Sequence, residues 1–300
     1  MKETNCMIGI DLGGTKIEII ALDLLGKELL KKRIKTPIND YPNTLTSISN
    51  LIFEFEKTGD YHSSVGIGIP GKISQNTNLI EYANSTYLVG KPLIKDLEKI
   101  INRKIKVEND ANCFALSEYV DGSAKNANSL FAAILGTGVG GGIIINGELV
   151  NGLNSAAGEW GHNRLPWSND LEIEDQNCYC GLQGCIETFL SGAGLKKTYF
   201  KLSKMILSAE EIVDLSQKNN DLALKALKLY EIRLAKSLSM IINVLDPEII
   251  VLGGGLSNID RIYDNVPDLL NEYVISDSVT TKLVKAKHGD SSGVRGAAWL

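Results

Sequence analysis

Three thiols and one imidazole carry the most specific chemistry in this 300-residue chain. His162, Cys178, Cys180 and Cys185 follow the spacing H-x15-C-x-C-x4-C. Three thiolates with one imidazole are the ligand set of a closed tetrahedral Zn2+ site, and Gly181 and Gly184 let the chain turn tightly around such an ion. Three buried thiols with no metal would not require that spacing inside a polar loop. Cys6 and Cys113 sit in apolar stretches and read as core residues.

The second chemical signal is glycine. Of the 29 glycines, 13 bunch at Gly13 and Gly14, from Gly66 to Gly71, from Gly136 to Gly142 and from Gly253 to Gly255, each bunch directly after an apolar stretch. Strands that end in glycine turns expose backbone N–H groups to which a ligand can come close. Asp11, Gly13, Gly14, Thr15 and Lys16 form one such turn, with N–H groups and a hydroxyl for phosphate oxygens and a carboxylate for hydrated Mg2+. Gly136, Thr137 and Gly138 repeat the phosphate-ready turn in the second half, and two such hairpins would clamp a triphosphate. Gly253, Gly254 and Gly255 offer a flat floor for adenine, with a plain strand-to-helix turn as the rival reading. Two stretches match G-x-G-x-x-G, at Gly66, Gly68, Gly71 and at Gly136, Gly138, Gly141, but neither opens a helix as a dinucleotide site demands. The P-loop pattern fails as well, because Thr15 separates Gly14 from Lys16.

The elements that must position these groups repeat. Strands are expected at 7–10, 17–22 and 28–34, a helix through Leu45, Ile48, Leu51, Ile52 and Phe55, and further strands at 64–69 and 105–107. The second half repeats the pattern with a strand at 130–135, the glycine turn, a strand at 143–145 and the hairpin signal Asn146-Gly147. Helices are expected at 111–120, 221–245 and 258–274, and strands at 249–252 and 283–286. Two copies of strand, glycine turn, strand and hairpin imply a duplicated α/β architecture. Asp110 follows one strand and opens a helix, a position that alone reads as a helix N-cap.

Bulk properties narrow the classes. With 31 basic and 36 acidic residues the net charge is −5, which disfavours a general nucleic-acid binder. No apolar run approaches the ~20 residues that span a bilayer, and no signal peptide is legible, so a cytoplasmic protein without membrane or nucleic-acid partners is expected. An odd cysteine count in that compartment argues against a disulfide framework. The length suggests two domains, 1–120 and 121–288, with the C-terminal segment 289–300 returning to the first.

Taken together, the Asp11 to Lys16 loop, Glu108-Asn109-Asp110-Ala111-Asn112, Gly136-Thr137-Gly138, Gly158-Glu159-Trp160-Gly161-His162 and the cysteine cluster resemble the ROK family of bacterial sugar kinases and repressors. The likeness spans essentially the whole chain. Asn84-Ser85-Thr86, Glu159 to Trp167, Cys178 to Gly192 and Lys285 to Trp299 are most similar to the branch of fructokinases that also accept mannose. The resemblance implies an actin-like, ribonuclease-H-like fold whose two domains close over sugar and ATP, and suggests a homodimer. It implies Asp110 as the base that takes the sugar hydroxyl proton, with Asn109 beside it. It also implies Glu159, His162 and Glu187 as sugar ligands, joined by Gly71 and Asn84; His162 would serve both zinc and sugar. Taken singly, Glu159 and Glu187 read as surface carboxylates, but they lie close in sequence to the zinc ligands. The expected reaction is ATP-dependent phosphorylation of fructose at its 6-hydroxyl, with mannose second. A glucokinase or an N-acetylhexosamine kinase is the alternative in the same class, and a non-catalytic sugar sensor or repressor the alternative in another. A repressor needs a helix-turn-helix ahead of the core, for which a phosphate loop at Asp11 leaves little room, and Asp110 speaks against a mere sensor.

Overall fold

The computed structural model describes residues 5–59, 61–81, 83 and 85–300. In chain order the strands are β1 (Cys6–Leu12), β2 (Lys16–Asp23), β3 (Glu28–Lys35), β4 (Ser63–Ile69), β5 (Lys72–Ile73), β6 (Ile80–Glu81), β7 (Lys106–Asn109), β8 (Ser129–Leu135), β9 (Val139–Ile145), β10 (Glu148–Leu149), β11 (Ile249–Gly253) and β12 (Lys282–Lys285). The helices are α1 (Tyr41–Glu56), α2 (Leu93–Ile101), α3 (Asp110–Val120), α4 (Asp170–Ile173), α5 (Glu187–Leu190), α6 (Gly192–Ser203), α7 (Ala209–Gln217), α8 (Asp221–Leu245), α9 (Arg261–Leu270) and α10 (Ser292–Ala298).

Two five-stranded sheets have the same plan, β3-β2-β1-β4-β7 and β10-β9-β8-β11-β12. In the first, β1 and β3 pair antiparallel with β2, while β4 runs parallel to both β1 and β7. In the second, β8 and β10 pair antiparallel with β9, while β11 runs parallel to both β8 and β12. The duplication is therefore one of topology, and it is the actin-like, ribonuclease-H-like α/β fold. Contacts divide the chain into two compact units: residues up to Asn126 with Asn151–Ala156 and Asp290–Leu300, and Ala127–Val150 with Ala157–Gly289.

In the first unit, Ile8, Ile10, Ile19, Ile48, Ile67 and Leu97 are buried together in the core. Helix α1 starts where Asp40 accepts the N–H of Asn43, and it buries Leu45, Ile48, Leu51, Ile52 and Phe55 along one face. Edge strand β3 carries Lys31, Lys32, Arg33 and Lys35, charges that discourage further strand pairing. Helix α10 lies against β1, β4 and α3 so closely that a Cβ on Gly9 would sit 2.0 Å from the Val294 carbonyl and one on Gly66 1.9 Å from that of Ala297. The glycines at these two positions serve helix packing, so the Gly66 to Gly71 bunch is only partly a ligand turn. Ser292 and Arg295 complete the docking by hydrogen-bonding Glu118 and Asp121.

In the second unit, Phe131, Trp160, Leu190, Tyr230, Leu238 and Ile250 belong to one core. Helix α8 is capped by the Asn220 side chain and stops at Asp246, in a left-handed conformation just before Pro247. The helix expected over 258–274 is shorter, because a 3-10 turn at Gly255–Asn258 and an extended Ile259 come first and α9 ends at Leu270. Among the described residues, no helix is long and apolar enough to cross a membrane.

Candidate functional site

In the first unit the candidate residues gather where β1, β4 and β7 end. The turn between β1 and β2 is pinned by Gly13 N–H to Lys16 O (2.9 Å), by Thr36 Oγ1 to Gly13 O (2.7 Å) and by Thr36 N–H to Thr15 O (3.1 Å). Gly14 and Thr15 stay exposed at its tip. A Cβ on Gly14 would come within 2.9 Å of Ser85 Oγ. Asp11 closes β1, and burial pushes its carboxyl above the ordinary aspartate range while Lys16 pulls it back.

Asp110 is the first residue of α3, and the cap is Asn109, whose extended backbone lets its side chain accept the N–H of Ala111 at 2.9 Å. Asp110 Oδ1 accepts the same N–H at 2.8 Å, so its carboxylate sits at the positive end of the helix. Asn109 Nδ2 donates to the Gly71 carbonyl at 3.0 Å, which joins the end of β4 to the end of β7. Gly71 has φ of +153°, and a Cβ there would meet the Ala83 and Glu81 backbone at 2.9 Å. Asn84 lies outside the described residues. Cys113 is fully buried below this corner, and burial followed by the Glu108, Asp110 and Asp11 carboxylates pushes its thiol well up, which leaves it inert.

In the second unit, Gly158-Glu159-Trp160-Gly161-His162 is laid directly on β9. A Cβ on Gly158 would sit 2.1 Å from the Gly141 carbonyl, and one on Gly161 2.1 Å from that of Val139. Trp160 fixes the segment by donating Nε1–H to Gly140 O at 2.8 Å and by packing edge-on against Phe131. Glu159 is left exposed. Glu187 opens α5, and its Oε2 accepts the Val139 N–H at 2.9 Å, immediately after the Gly136-Thr137-Gly138 turn. Gly192 N–H to Gly136 O (2.9 Å) holds the other side of that turn.

The metal candidates converge. His162 Nδ1 lies 3.5 Å from Cys178 Sγ, Cys180 Sγ lies 3.7 Å from Cys185 Sγ, and all four ligand atoms fall within 4.8 Å of one another. A zinc tetrahedron with Zn–S of ~2.3 Å and Zn–N of ~2.0 Å has edges of about 3.8 and 3.5 Å, so the four atoms fit that ion. Burial pushes the Cys185 thiol up to about 12 and raises that of Cys178, while the Leu182 N–H lowers that of Cys180. A divalent cation would offset the cost of holding the buried Cys178 and Cys185 as thiolates by ligating them directly. Gly181 and Gly184 both have positive φ, as the tight ligand loop requires.

Sequence reasoning missed Tyr179. Its hydroxyl lies 3.0 Å from His162 Nε2 and its ring meets the imidazole edge-on. Burial and then the Glu187 and Glu159 carboxylates push its phenol up to about 12, so His162, Glu159, Glu187 and Tyr179 share one neighbourhood. A tyrosine between two candidate metal-ligating cysteines was the available signal.

A cavity of about 600 Å³ opens beside the same turn, lined by Gly136, Thr137, Lys196, Glu210, Asp214 and Gly255 among others. That volume suits a nucleoside. Of the three glycines read as an adenine floor, Gly255 lines the cavity. Gly253 ends β11, and Gly254 serves close packing, because a Cβ there would sit 2.5 Å from the Leu135 carbonyl.

Known proteins share the sequence and fold of this chain over nearly its whole length. The N-acetyl-D-glucosamine kinase of Vibrio atlanticus (strain LGP32) is 38% identical over 296 residues, covering 97% of this chain and 98% of that enzyme. The crystal structure of the ROK hexokinase from Thermus thermophilus superposes with a TM-score of 0.86 at 26% identity, covering 98% of this chain and 96% of that one. A ROK family glucokinase from Streptomyces griseus, solved with glucose and AMPPNP, gives 0.79 at 25% identity and 98% coverage of each chain. The ROK family model itself matches residues 7–300, and the chain belongs to the ROK family.

Proposed function

We propose that this chain is an ATP-dependent sugar kinase that phosphorylates the 6-hydroxyl of an N-acetylhexosamine, with N-acetyl-D-glucosamine as first substrate. The observation that carries the choice of sugar is the 38% identity, over nearly the full length of both chains, to N-acetyl-D-glucosamine kinase. That relative matches the N-acetylhexosamine alternative and not the expectation of fructose. Fructose is kept as the second reading, on the runs Glu159 to Trp167 and Cys178 to Gly192.

In this reading Asn109 orients the sugar and Asp110 accepts the proton of its 6-hydroxyl as that oxygen bonds to the γ-phosphorus and the bond to the ADP oxygen breaks. The proton leaves Asp110 for solvent after product release. The turns at Gly13 to Thr15 and Gly136 to Gly138 receive phosphate oxygens through backbone N–H groups, and Asp11 would hold Mg2+, which neutralises phosphate charge when bound. Adenine occupies the cavity beside Gly255. Glu159, Glu187 and His162 receive the remaining sugar hydroxyls, and His162, Cys178, Cys180 and Cys185 would hold a zinc ion that stiffens this loop.

N-acetyl-D-glucosamine and fructose differ around carbons 1 and 2, where an unpaired polar group costs about 1 to 3 kcal/mol. Competition between N-acetyl-D-glucosamine, N-acetylmannosamine, glucose, mannose and fructose, followed by ADP release, tests the choice. The expected result is the highest kcat/KM for N-acetyl-D-glucosamine. Fructose preferred tenfold would move the assignment to the second reading.

A further inference from the structure

Three side chains around Asp110 form a closed ring that the proposed chemistry does not use directly. Asn112, in the first turn of α3, donates Nδ2–H both to Glu108 Oε1 at 3.0 Å and to Asn151 Oδ1 at 2.9 Å. Asn151 closes the ring by donating Nδ2–H to Glu108 Oε2 at 2.9 Å. The carboxylate only accepts, so the orientation of both amides is fixed. Asn112 is 6% exposed, and its own Oδ1 is buried without a hydrogen-bond partner. A flipped Asn112 would turn that oxygen toward two acceptors, which the ring forbids.

Two members of the ring, Glu108 and Asn112, flank the proposed catalytic base in the chain. Glu108 also accepts the N–H of Asn109 at 2.8 Å, so residues 108, 109 and 112 are all tied around Asp110. Asn151 begins the segment Asn151–Ala156, which leaves β10 and joins the first unit. The same segment is held by Lys72 Nζ to Asn154 O at 3.2 Å and by Gln75 Nε2 to Ser155 Oγ at 3.1 Å. Lys72 directly follows Gly71, whose carbonyl holds Asn109. The first turn of α3 is thus gripped from the β4 side through Gly71 and Asn109, and from the 151–156 side through the ring.

We propose that Asn151 is a positioning residue, acting through Glu108 and Asn112 to set the rotation of the first turn of α3 and hence the aim of the Asp110 carboxylate. A base displaced by about 1 Å loses up to a hundredfold in rate while the bound nucleotide is untouched. The effect should therefore fall on kcat, not on KM for ATP.

The test reverses the polarity of one bond. Asn151→Asp alone sets an acceptor against the Glu108 carboxylate, and Glu108→Gln alone sets a donor against the Asn151 amide. Combined, the two substitutions restore a donor–acceptor pair at unchanged net charge, so a double-mutant cycle isolates the bond. Each single variant is expected to lose about tenfold in kcat with KM for ATP and Tm near wild type, and the double variant to recover to within about threefold. Amide hydrogen exchange over residues 151–156 should rise in the singles and return in the double. Wild-type kcat and exchange in the singles, a double no better than either single, or a kcat loss matched by a falling Tm and rising KM would each overturn the proposal. The activity readout rests on the kinase reading, but the exchange readout does not. If wild-type protein phosphorylated no sugar, that reading would fail while the exchange cycle still decided the ring.

Discussion

Gly161→Ala and Gly136→Ala form a matched pair that separates packing from ligand contact. A Cβ on Gly161 would lie 2.1 Å from the Val139 carbonyl oxygen and 3.2 Å from the Val139 Cβ, on the end of β9 paired to β8. Ordinary contact begins near 3.4 Å, so the 159–162 segment must lift from β9 by about 1 Å. Overpacking of this kind costs about 1 to 3 kcal/mol, or several degrees in Tm for a chain of this size. The same shift moves Glu159 and the proposed zinc ligand His162, so KM for the sugar should rise at least tenfold while KM for ATP holds. Gly136 has nothing within 4 Å of an added Cβ and no positive φ, so Gly136→Ala should leave Tm unchanged. It places a methyl where phosphate oxygens are proposed to approach, so KM for ATP should rise and KM for the sugar should hold. Differential scanning fluorimetry with steady-state kinetics in both substrates reads Tm and both KM values for each variant. A stable Gly161→Ala with wild-type sugar KM, or a Gly136→Ala that unfolds early, would refute the reasoning from close approach.

Asp110→Asn removes the proton acceptor at nearly constant size, so turnover should fall by about 10² to 10⁴ while calorimetry shows sugar affinity within a few-fold of wild type. Protein purified without added metal should contain one zinc per chain by elemental analysis, and Cys180→Ser or chelation should weaken sugar binding before either unfolds the protein. Burial raises the Asp11 pKa, so the folded state binds that proton more tightly than the unfolded chain. Ionising Asp11 therefore costs stability as pH rises from about 4 through the raised value, and the cost is fully present at pH 7. Asp11→Asn should raise Tm at pH 7, lose that advantage below about pH 4, and abolish Mg2+-dependent turnover; a Tm below wild type at pH 7 would contradict the sign.

The two glycine turns and the duplicated strand pattern were legible because each follows from local alternation and turn chemistry. Both turns do fall between the first two strands of a sheet, β1–β2 and β8–β9. The convergence of His162, Cys178, Cys180 and Cys185 was legible for the same reason, with three of the four lying within eight residues of one another. What was hidden depends on contacts between distant positions. Gly66 looks like a ligand glycine until α10 is seen packed on it, more than 200 residues away in sequence. Glu187 could be read as a carboxylate near a metal loop, but its bond to Val139 N–H spans 48 residues and carries no local signature. The cap of α3 is Asn109 and not Asp110, because the turn from β7 holds Asn109 in extended backbone, a distinction of one residue that propensity does not resolve. Helices α2, α6 and α7 were not picked out from the sequence, although α2 buries Leu93, Leu97 and Ile101 at helical spacing and α7 opens on a Ser208–Glu211 capping box.

The most direct test of the central claim is to follow the transferred phosphorus itself. Incubation of the protein with ATP, Mg2+ and N-acetyl-D-glucosamine, monitored by phosphorus and carbon NMR, should show ADP and the sugar 6-phosphate appearing in equal amounts, and neither with Asp110→Asn. ADP accompanied only by inorganic phosphate, or phosphate on carbon 1 of the sugar, would contradict the assignment of Asp110 as the base at the 6-hydroxyl.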